Sequence, residues 1–267
     1  MKLSVVIPCY NFERYIEQCL LSVVSQKTNF DFEILVGDDC STDTSFEKIE
    51  RVRFFNNFYC VSGDMWGEKE NNPCKIKVIR HPENIGGYLN LDSLISSSSG
   101  EYIAYLDGDD YFTDPYKLQK QVDFLDENPD YVMTFTGYWK KNFSDQYCPE
   151  NIIEWMGFTK RGDGEVTTED LLETNYVTFG KVFRNLFKGK PRWDEDVKYG
   201  DWMLAFEISK FGKIKFLNYP TGVYREHSNG VFTSLDSEQR ETAYRECQEK
   251  IKNNYDKYIL ENGKRNL

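Results

Sequence analysis

A doubly wound, mainly parallel α/β sheet is the fold this sequence predicts, and three observations carry the prediction. Short apolar runs recur at Leu3–Ile7, Phe32–Val36, Ile76–Ile79 and 101–106, and continuous runs suit strands covered on both faces. Segments with apolar residues at helical spacing separate them. Carboxylates, asparagines and glycines gather just after each run, where ligands of such sheets bind.

Leu3–Ile7 ends at Pro8, and Asn11 is expected to cap a helix carrying Phe12, Ile16, Cys19, Leu20, Val23 and Val24 on its apolar face. Phe32–Val36 closes on Gly37-Asp38-Asp39-Cys40-Ser41-Thr42-Asp43 and feeds a helical pattern through Phe46, Ile49 and Val52. Residues 53–74 read as an irregular insertion before the strand Ile76–Ile79. The turn Arg80-His81-Pro82-Glu83-Asn84-Ile85-Gly86-Gly87 leads to a helix at Tyr88–Ser96, and the fourth strand then runs into Asp107-Gly108-Asp109-Asp110. Asp114 and Pro115 open a helix with Leu118, Val122 and Leu125 on one face, stopped at Asn128-Pro129.

Beyond residue 130 the pattern changes. Tyr131–Trp139 reads as a strand, 140–165 as loop, Thr167–Glu173 as a short helix, and Asp201 as the cap of a helix through Leu204, Ile208 and Phe211. Two short strands, Ile214–Asn218 and Gly222–Arg225, precede Glu226-His227-Ser228-Asn229-Gly230. Asp236-Ser237-Glu238-Gln239 resembles a capping box, starting a helix with Tyr244, Cys247, Ile251, Tyr255 and Tyr258 on one face. The expected organisation is an α/β half at 1–130, a second half of the same domain at 131–235, and a C-terminal amphipathic helix at 236–267.

Composition narrows the function. Lys plus Arg total 33 against 44 Asp plus Glu, a net charge of −11, so general nucleic-acid binding is disfavoured. A phosphorylated substrate then needs local help from a cation, helix N-termini or placed basic residues. Seven cysteines without Cys-x-x-Cys spacing and two histidines point to reduced thiols in a cytoplasmic protein and away from a zinc centre. No apolar run approaches membrane-span length, so the expectation is a chain neither exported nor integral.

Asp107 and Asp109 alternate in an extended segment and so can share a pocket, with Gly108 open to a close ligand. Two hard oxygen donors suit Mg²⁺ or Mn²⁺ completed by substrate phosphates. The plainer reading is an acidic turn. A run of Lys181, Arg184, Lys188, Lys190 and Arg192 among Phe183, Phe187 and Trp193 reads as a solvated hairpin, with peripheral contact to anionic lipid or an acceptor diphosphate as the alternative.

Four strand-end motifs occur in order: Ser-Val-Val-Ile-Pro-Cys-Tyr-Asn at 4–11, Leu-Val-Gly-Asp-Asp-Cys-Ser-Thr-Asp at 35–43, Asn-Ile-Gly-Gly at 84–87 and Leu-Asp-Gly-Asp-Asp at 106–110. Together they resemble the family 2 inverting glycosyltransferases of GT-A, Rossmann-like fold. The resemblance spans about residues 1–130 and continues more weakly through Gly-Asp-Trp at 200–202 and Tyr-Arg-Glu-His at 224–227.

It implies metal-dependent, inverting transfer of a sugar from a nucleotide diphosphate, with UDP-sugar favoured, to a hydroxyl of a glycan or lipid-linked acceptor in cell-surface polysaccharide synthesis. By the same resemblance Pro8, Tyr10, Asn11 and Asp39 hold the nucleoside, and Asp107 meets the ribose or the metal shell. Asp109 and His227 ligate Mn²⁺ or Mg²⁺, and Asp201 is the general base. Arg80 is placed to approach the nucleotide and Trp202 to line the acceptor cleft. Many family members carry Glu-Asp where this chain has Gly200-Asp201. The alternatives are a sugar-phosphate nucleotidyltransferase, which lacks its glycine-rich basic loop here, and a non-catalytic nucleotide-sugar-binding partner.

Overall fold

The structure, a computed structural model, describes residues 1–62, 65–68, 74–142, 153–157, 164–187, 198–228, 230 and 234–262. The first half alternates β1 (Leu3–Cys9), α1 (Ile16–Val24), β2 (Phe32–Asp38) and α2 (Ser45–Asn57). After a hairpin of β3 (Phe58–Ser62) and β4 (Met65–Glu68) come β5 (Cys74–Arg80), α3 (Gly87–Ser96), β6 (Tyr102–Tyr105), β7 (Tyr111–Phe112) and α4 (Lys117–Glu127). The second half comprises β8 (Tyr131–Asn142), β9 (Ile153–Met156), β10 (Glu165–Val166), α5 (Asp170–Glu173), β11 (Val182–Arg184), α6 (Gly200–Ser209), β12 (Lys213–Glu226) and α7 (Ser237–Asn262).

The main sheet runs in the order β10-β12-β8-β11-β6-β1-β2-β5, with β7 paired to β12 and β9 to β8. β5, β2, β1 and β6 are mutually parallel, as the continuous apolar runs require. β11 is antiparallel to both β6 and β8, and β12 runs parallel to β8. The carboxyl ends of β1, β2, β5, β6 and β12 therefore share one edge with the start of β11.

Alternation along β1 divides the core. Leu3, Val5 and Ile7 pack with Ile16, Leu20 and Val23 of α1, Ile49 of α2 and Leu118, Val122 and Leu125 of α4. Val6 faces the opposite layer of Leu91, Leu94 and Ile95 of α3, most of α6, and Cys247 and Ile251 of α7. Each such side chain, fully buried, contributes roughly 1.5–3 kcal/mol.

Several local expectations are corrected. Asn11 does not cap α1: residues 12–15 form a turn, with the Tyr15 and Ile16 amides both donating to Phe12 O, and the helix begins at Ile16. Asn11 instead lies at φ 56, a left-handed conformation that asparagine tolerates. The 53–74 segment holds the end of α2 and the β3–β4 hairpin, and the 140–165 segment contributes β9 and β10. The two short strands after Ile214 are one strand, β12, with register shifts around Pro220, a residue that cannot donate to the ladder. The capping box holds: the Gln239 amide donates to Asp236 Oδ1 at 2.8 Å and the Asp236 amide to Gln239 Oε1 at 3.1 Å.

Glu33 is the charged member of the apolar β2 run, and its side chain is 1% exposed. Its Oε1 accepts from Ser4 Oγ, Ser99 N and Ser99 Oγ at 2.8, 2.8 and 2.7 Å, and Oε2 accepts from Lys77 Nζ at 2.7 Å. Burial opposes its ionisation, but the Lys77, Ser99 and Ser4 donors outweigh it and hold the carboxyl down to about 2. A depressed carboxyl stabilises the fold above its unfolded value near about 4.3, and that stability drains as pH falls toward about 2. Glu33→Gln is therefore expected to cost about 2–3 kcal/mol at neutral pH and to flatten the acid limb. Urea unfolding at pH 7 and pH 3 measures both; superimposable curves for the two proteins at pH 7 would contradict the assignment.

Candidate active site at the carboxyl edge of the sheet

The loops after β1 and β2 interlock. The Asp39 amide donates to Cys9 O at 2.9 Å, the Asn11 amide to Ser41 Oγ at 3.0 Å, and the Thr42 amide to Asn11 Oδ1 at 2.8 Å. Glu13 ties the same loops, accepting from the Thr44 hydroxyl at 2.7 Å. Tyr10 stands out beside them, 41% exposed, and Pro8 lies buried at the end of β1.

Asp39 is buried, and its Oδ1 and Oδ2 accept the Ile85 and Gly86 amides at 2.8 and 3.0 Å. It thus clamps the 84–87 turn, and a base edge can use only its remaining lone pairs. Arg80 Nε lies 3.2 Å from buried Asp38 Oδ2, and its guanidinium stacks 4.0 Å from the Phe46 ring centre. The side chain is still 46% exposed at the rim.

The Asp107–Asp110 turn is set by β7. Pairing of Tyr111 and Phe112 with Val223 and Gly222 carries the preceding residues against the end of β12. The Arg225 amide donates to buried Asp110 Oδ1 at 2.8 Å. The Arg225 guanidinium donates to Asp109 O and Gln18 Oε1 and lies over Tyr111 at 4.4 Å. His227 lies two residues further on, 6% exposed, with its Nε2 3.0 Å from Asp109 Oδ2 and its ring centre 4.5 Å from that of Tyr15. The His227 ring is thus enclosed, directly after the end of β12. Gly108 is also closed to a ligand: its amide donates to Pro8 O at 3.1 Å, and an added Cβ would meet that oxygen at 2.8 Å.

Asp107 Oδ1 accepts the Tyr105 hydroxyl at 2.6 Å. Burial and then the charge of Asp109 hold the Asp107 carboxyl up to about 7. Burial, followed by Asp109 and Asp107, likewise raises Asp110 well above the usual carboxylate range. Three carboxyls and one imidazole thus crowd together at this edge, with the Arg225 guanidinium beside them. Among the described residues no group of three or more protein ligands converges on one point. Asp109 and His227 are the carboxylate and imidazole of this edge that could together hold a hard cation.

Asp201 reaches the same edge from α6. It occupies the first turn of the helix rather than its cap position, which falls to Tyr199. Asp201 Oδ2 accepts from Asn175 Nδ2 at 2.9 Å and lies 3.7 Å from Lys181 Nζ. Gly200 packs on buried Tyr88 so closely that a Cβ would meet its ring at 2.2 Å, so a glutamate there would have to displace that ring. Trp202 is corrected outright: it is 0% exposed and its indole N–H donates to Leu171 O at 2.8 Å, so it belongs to the core and meets no acceptor. A hollow of about 480 Å³ beside it includes Tyr199, Arg240 and Tyr244.

The basic run is not one surface. Lys181 is 2% exposed, and Arg184 donates to Tyr131 O, Tyr102 Oη and Leu125 O at 2.9, 3.0 and 2.7 Å. Phe183 is buried, while Lys188, Lys190, Arg192 and Trp193 lie outside the described residues. Lys181, Tyr105, Asp110 and Arg225 were not singled out as site residues from sequence. Tyr105 and Arg225 carry the signal of a hydroxyl or charge within a strand, whereas Asp110 and Lys181 lie just before one. Among the described residues no helix is long and apolar enough to cross a membrane.

A mostly parallel sheet with carboxylates gathered at one edge agrees with the GT-A glycosyltransferase class, and the structural matches place the fold there. The chain superposes on Staphylococcus aureus TarS residues 1–349 in complex with UDP-GlcNAc with a TM-score of 0.64 at 22% identity, covering 88% of this chain and 62% of that one. It also superposes on the mannosyltransferase PcManGT of Pyrobaculum calidifontis, in complex with GDP-Man and Mn²⁺, at 0.55 and 16%, covering 87% and 59%. The model for glycosyl transferase family 2 matches residues 4–183, and the chain belongs to that family.

Among curated relatives, an uncharacterized protein of Mycobacterium tuberculosis is 28% identical over 244 residues, 89% of this chain and 62% of the relative. The poly(ribitol-phosphate) beta-N-acetylglucosaminyltransferase TarS of Staphylococcus aureus is 30% identical over 220 residues, 82% of this chain and 33% of TarS. The chain thus spans about three fifths of the mycobacterial relative and one third of full-length TarS.

Proposed function

We propose that this protein transfers a sugar from a UDP-sugar to a hydroxyl of a glycan or lipid-linked acceptor, with inversion at the anomeric carbon, in cytoplasmic assembly of a cell-surface polysaccharide. The observation that carries the proposal is the 3.0 Å pairing of Asp109 with His227 at the edge that also holds Asp107 and, through Lys181 and Tyr105, Asp201. The UDP-GlcNAc and GDP-Man–Mn²⁺ complexes of the structural neighbours support a nucleotide-sugar donor and a divalent cation.

In this reading Tyr10, Asn11 and the rim around Asp39 and Arg80 receive the nucleoside, Pro8 forms the floor, and Asp107 faces the ribose. Asp109 and His227 hold Mn²⁺ or Mg²⁺. When bound, the cation offsets the charge that accumulates on the departing diphosphate. Asp201 takes the acceptor's hydroxyl proton as the acceptor oxygen bonds to the anomeric carbon. The bond from that carbon to the diphosphate oxygen breaks, its electron pair leaves with UDP, and the proton later passes from Asp201 to water. A carboxylate suffices as base because the hydroxyl becomes acidic only as the new bond forms. With Trp202 in the core, the hollow beside Tyr199, Arg240 and Tyr244 takes its place as the acceptor approach.

A thermal-shift panel of UDP, GDP, CDP and dTDP, each with and without Mn²⁺, tests the reading. A ligand at a hundredfold excess over its Kd adds about 2.7 kcal/mol of stability. UDP is expected to give the largest rise in Tm, and Mn²⁺ to enlarge it. Equal shifts for all four nucleotides, or a UDP shift indifferent to metal, would reject the donor assignment.

A further inference from the structure

Lys181 is a buried cation whose place the backbone fixes from both sides. Its carbonyl accepts the Tyr105 amide at 3.1 Å, and the Thr136 amide donates to Phe179 O at 3.3 Å. Gly180 between them has φ 69, and a Cβ there would meet Thr136 Oγ1 at 2.0 Å, so only glycine allows the chain to pass. Because β11 runs antiparallel to β6, this start of β11 falls beside the end of β6. Lys181 Nζ donates to Thr178 O at 2.7 Å, lies 4.9 Å from the centre of the Tyr105 ring, and reaches within 3.7 Å of Asp201 Oδ2. Tyr105 in turn donates to Asp107.

A cation this enclosed is tolerated only with compensating charge, and Asp201 and Asp107 supply it. Both described contacts of Asp201 fall on Oδ2. Asn175 is oriented for its share by the Val177 amide, which donates to Asn175 Oδ1 at 3.1 Å. Among the described residues Oδ1 carries no contact, and the side chain is 26% exposed.

We infer that Lys181 is a positioning residue for the transfer step: with Asn175 it holds Oδ2 of Asp201 and leaves Oδ1 to the acceptor hydroxyl. The inference rests on Asp201 as the general base. Burial makes the role selective for charge, because a neutral side chain would remove the cation that lies 3.7 Å from Asp201 Oδ2. Lys181 touches neither the Asp109–His227 pair nor the 9–13 and 39–44 loops in the described contacts, and it reaches Asp107 only by way of Tyr105, so its effect falls mainly on turnover.

The test compares wild type with K181M, K181R and D201N. It reads UDP release from UDP-N-acetylglucosamine in Mn²⁺, with glycerol as a generic hydroxyl acceptor, and UDP affinity in Mn²⁺ by calorimetry. K181M is expected to lower kcat about 10- to 100-fold while donor KM and UDP affinity stay within about twofold, and K181R to recover most of the loss because it restores the charge. If K181M does not fold, K181Q, which keeps a donor for Thr178 O, carries the same expectation. Wild-type kcat in the neutral variants, no recovery in K181R, or a fall in UDP affinity equal to the fall in kcat would each overturn the role. D201N separates the two levels: its loss with K181M active sinks the role of Lys181 alone, whereas normal turnover in D201N sinks the base assignment and this inference together.

Discussion

Asp201→Asn is expected to lower turnover about 10²- to 10⁴-fold, the range of a lost general base, with UDP affinity in Mn²⁺ unchanged. Asparagine has the same shape and can turn its amide oxygen toward Asn175 and Lys181, replacing the acceptor that Oδ2 now provides at 2.9 and 3.7 Å. The fold is therefore retained, and the loss falls on the proton transfer alone. An interaction made only in the transition state lowers kcat and kcat/KM equally, so both should drop together while the donor KM holds. Single-turnover measurement of sugar transfer or donor hydrolysis, paired with calorimetry, makes the check. Near-normal turnover would remove Asp201 from the mechanism.

Asp109→Asn is expected to abolish the gain in UDP affinity on adding Mn²⁺, a loss of about 10- to 100-fold, and to leave affinity in EDTA unchanged. An amide oxygen is a far poorer partner for a hard cation than a carboxylate, yet it can keep the 3.0 Å contact with His227 Nε2. The same substitution removes the charge that buried Asp107 and Asp110 face, so the metal-free variant should melt no lower than wild type. Asp107 and Asp110 are both held up by burial and by the charge of Asp109, and that repulsion is relieved. Lower Tm without metal, or a persistent Mn²⁺ effect on UDP binding, would show that Asp109 serves the fold rather than the cation. The two variants should thus separate cleanly, one binding without turnover and the other losing the metal-dependent share of binding.

The sites of chemistry were most legible where local rules govern. Continuous apolar strands and the carboxylates that end them are short-range features, but Asp107–Asp110 is a turn, closed by the Asp110 amide on Asp107 O at 3.0 Å, and not the extended segment in which alternation would pair Asp107 with Asp109. Trp202 shows the limit. Its neighbour Asp201 faces the site, but one residue later the helix turns inward, and the indole finds Leu171 O in the core. Asn11 shows another: its side chain was free to cap a helix by type, and the loop after β2 claimed it instead. Lys181 read as one of a run of surface charges because Lys188, Lys190 and Arg192 follow it. Only its place before β11 and among Val177, Phe179, Val182 and Phe183, all buried, reveals an interior cation. Glu33 carries the same signal, one charge in an apolar strand, and proves to be equally enclosed.

The sequence by itself determined the fold class, the family and the strand ends where chemistry belongs, because hydrophobic period and turn composition act over a few residues. Tertiary structure decided which groups meet. Asp109 and His227 stand 118 residues apart, joined by β7 pairing with β12, and Asp201 meets Lys181 because β11 runs against β6. Such pairings depend on strand order and direction, which satisfy backbone hydrogen bonds across the whole sheet and leave no trace in any one segment.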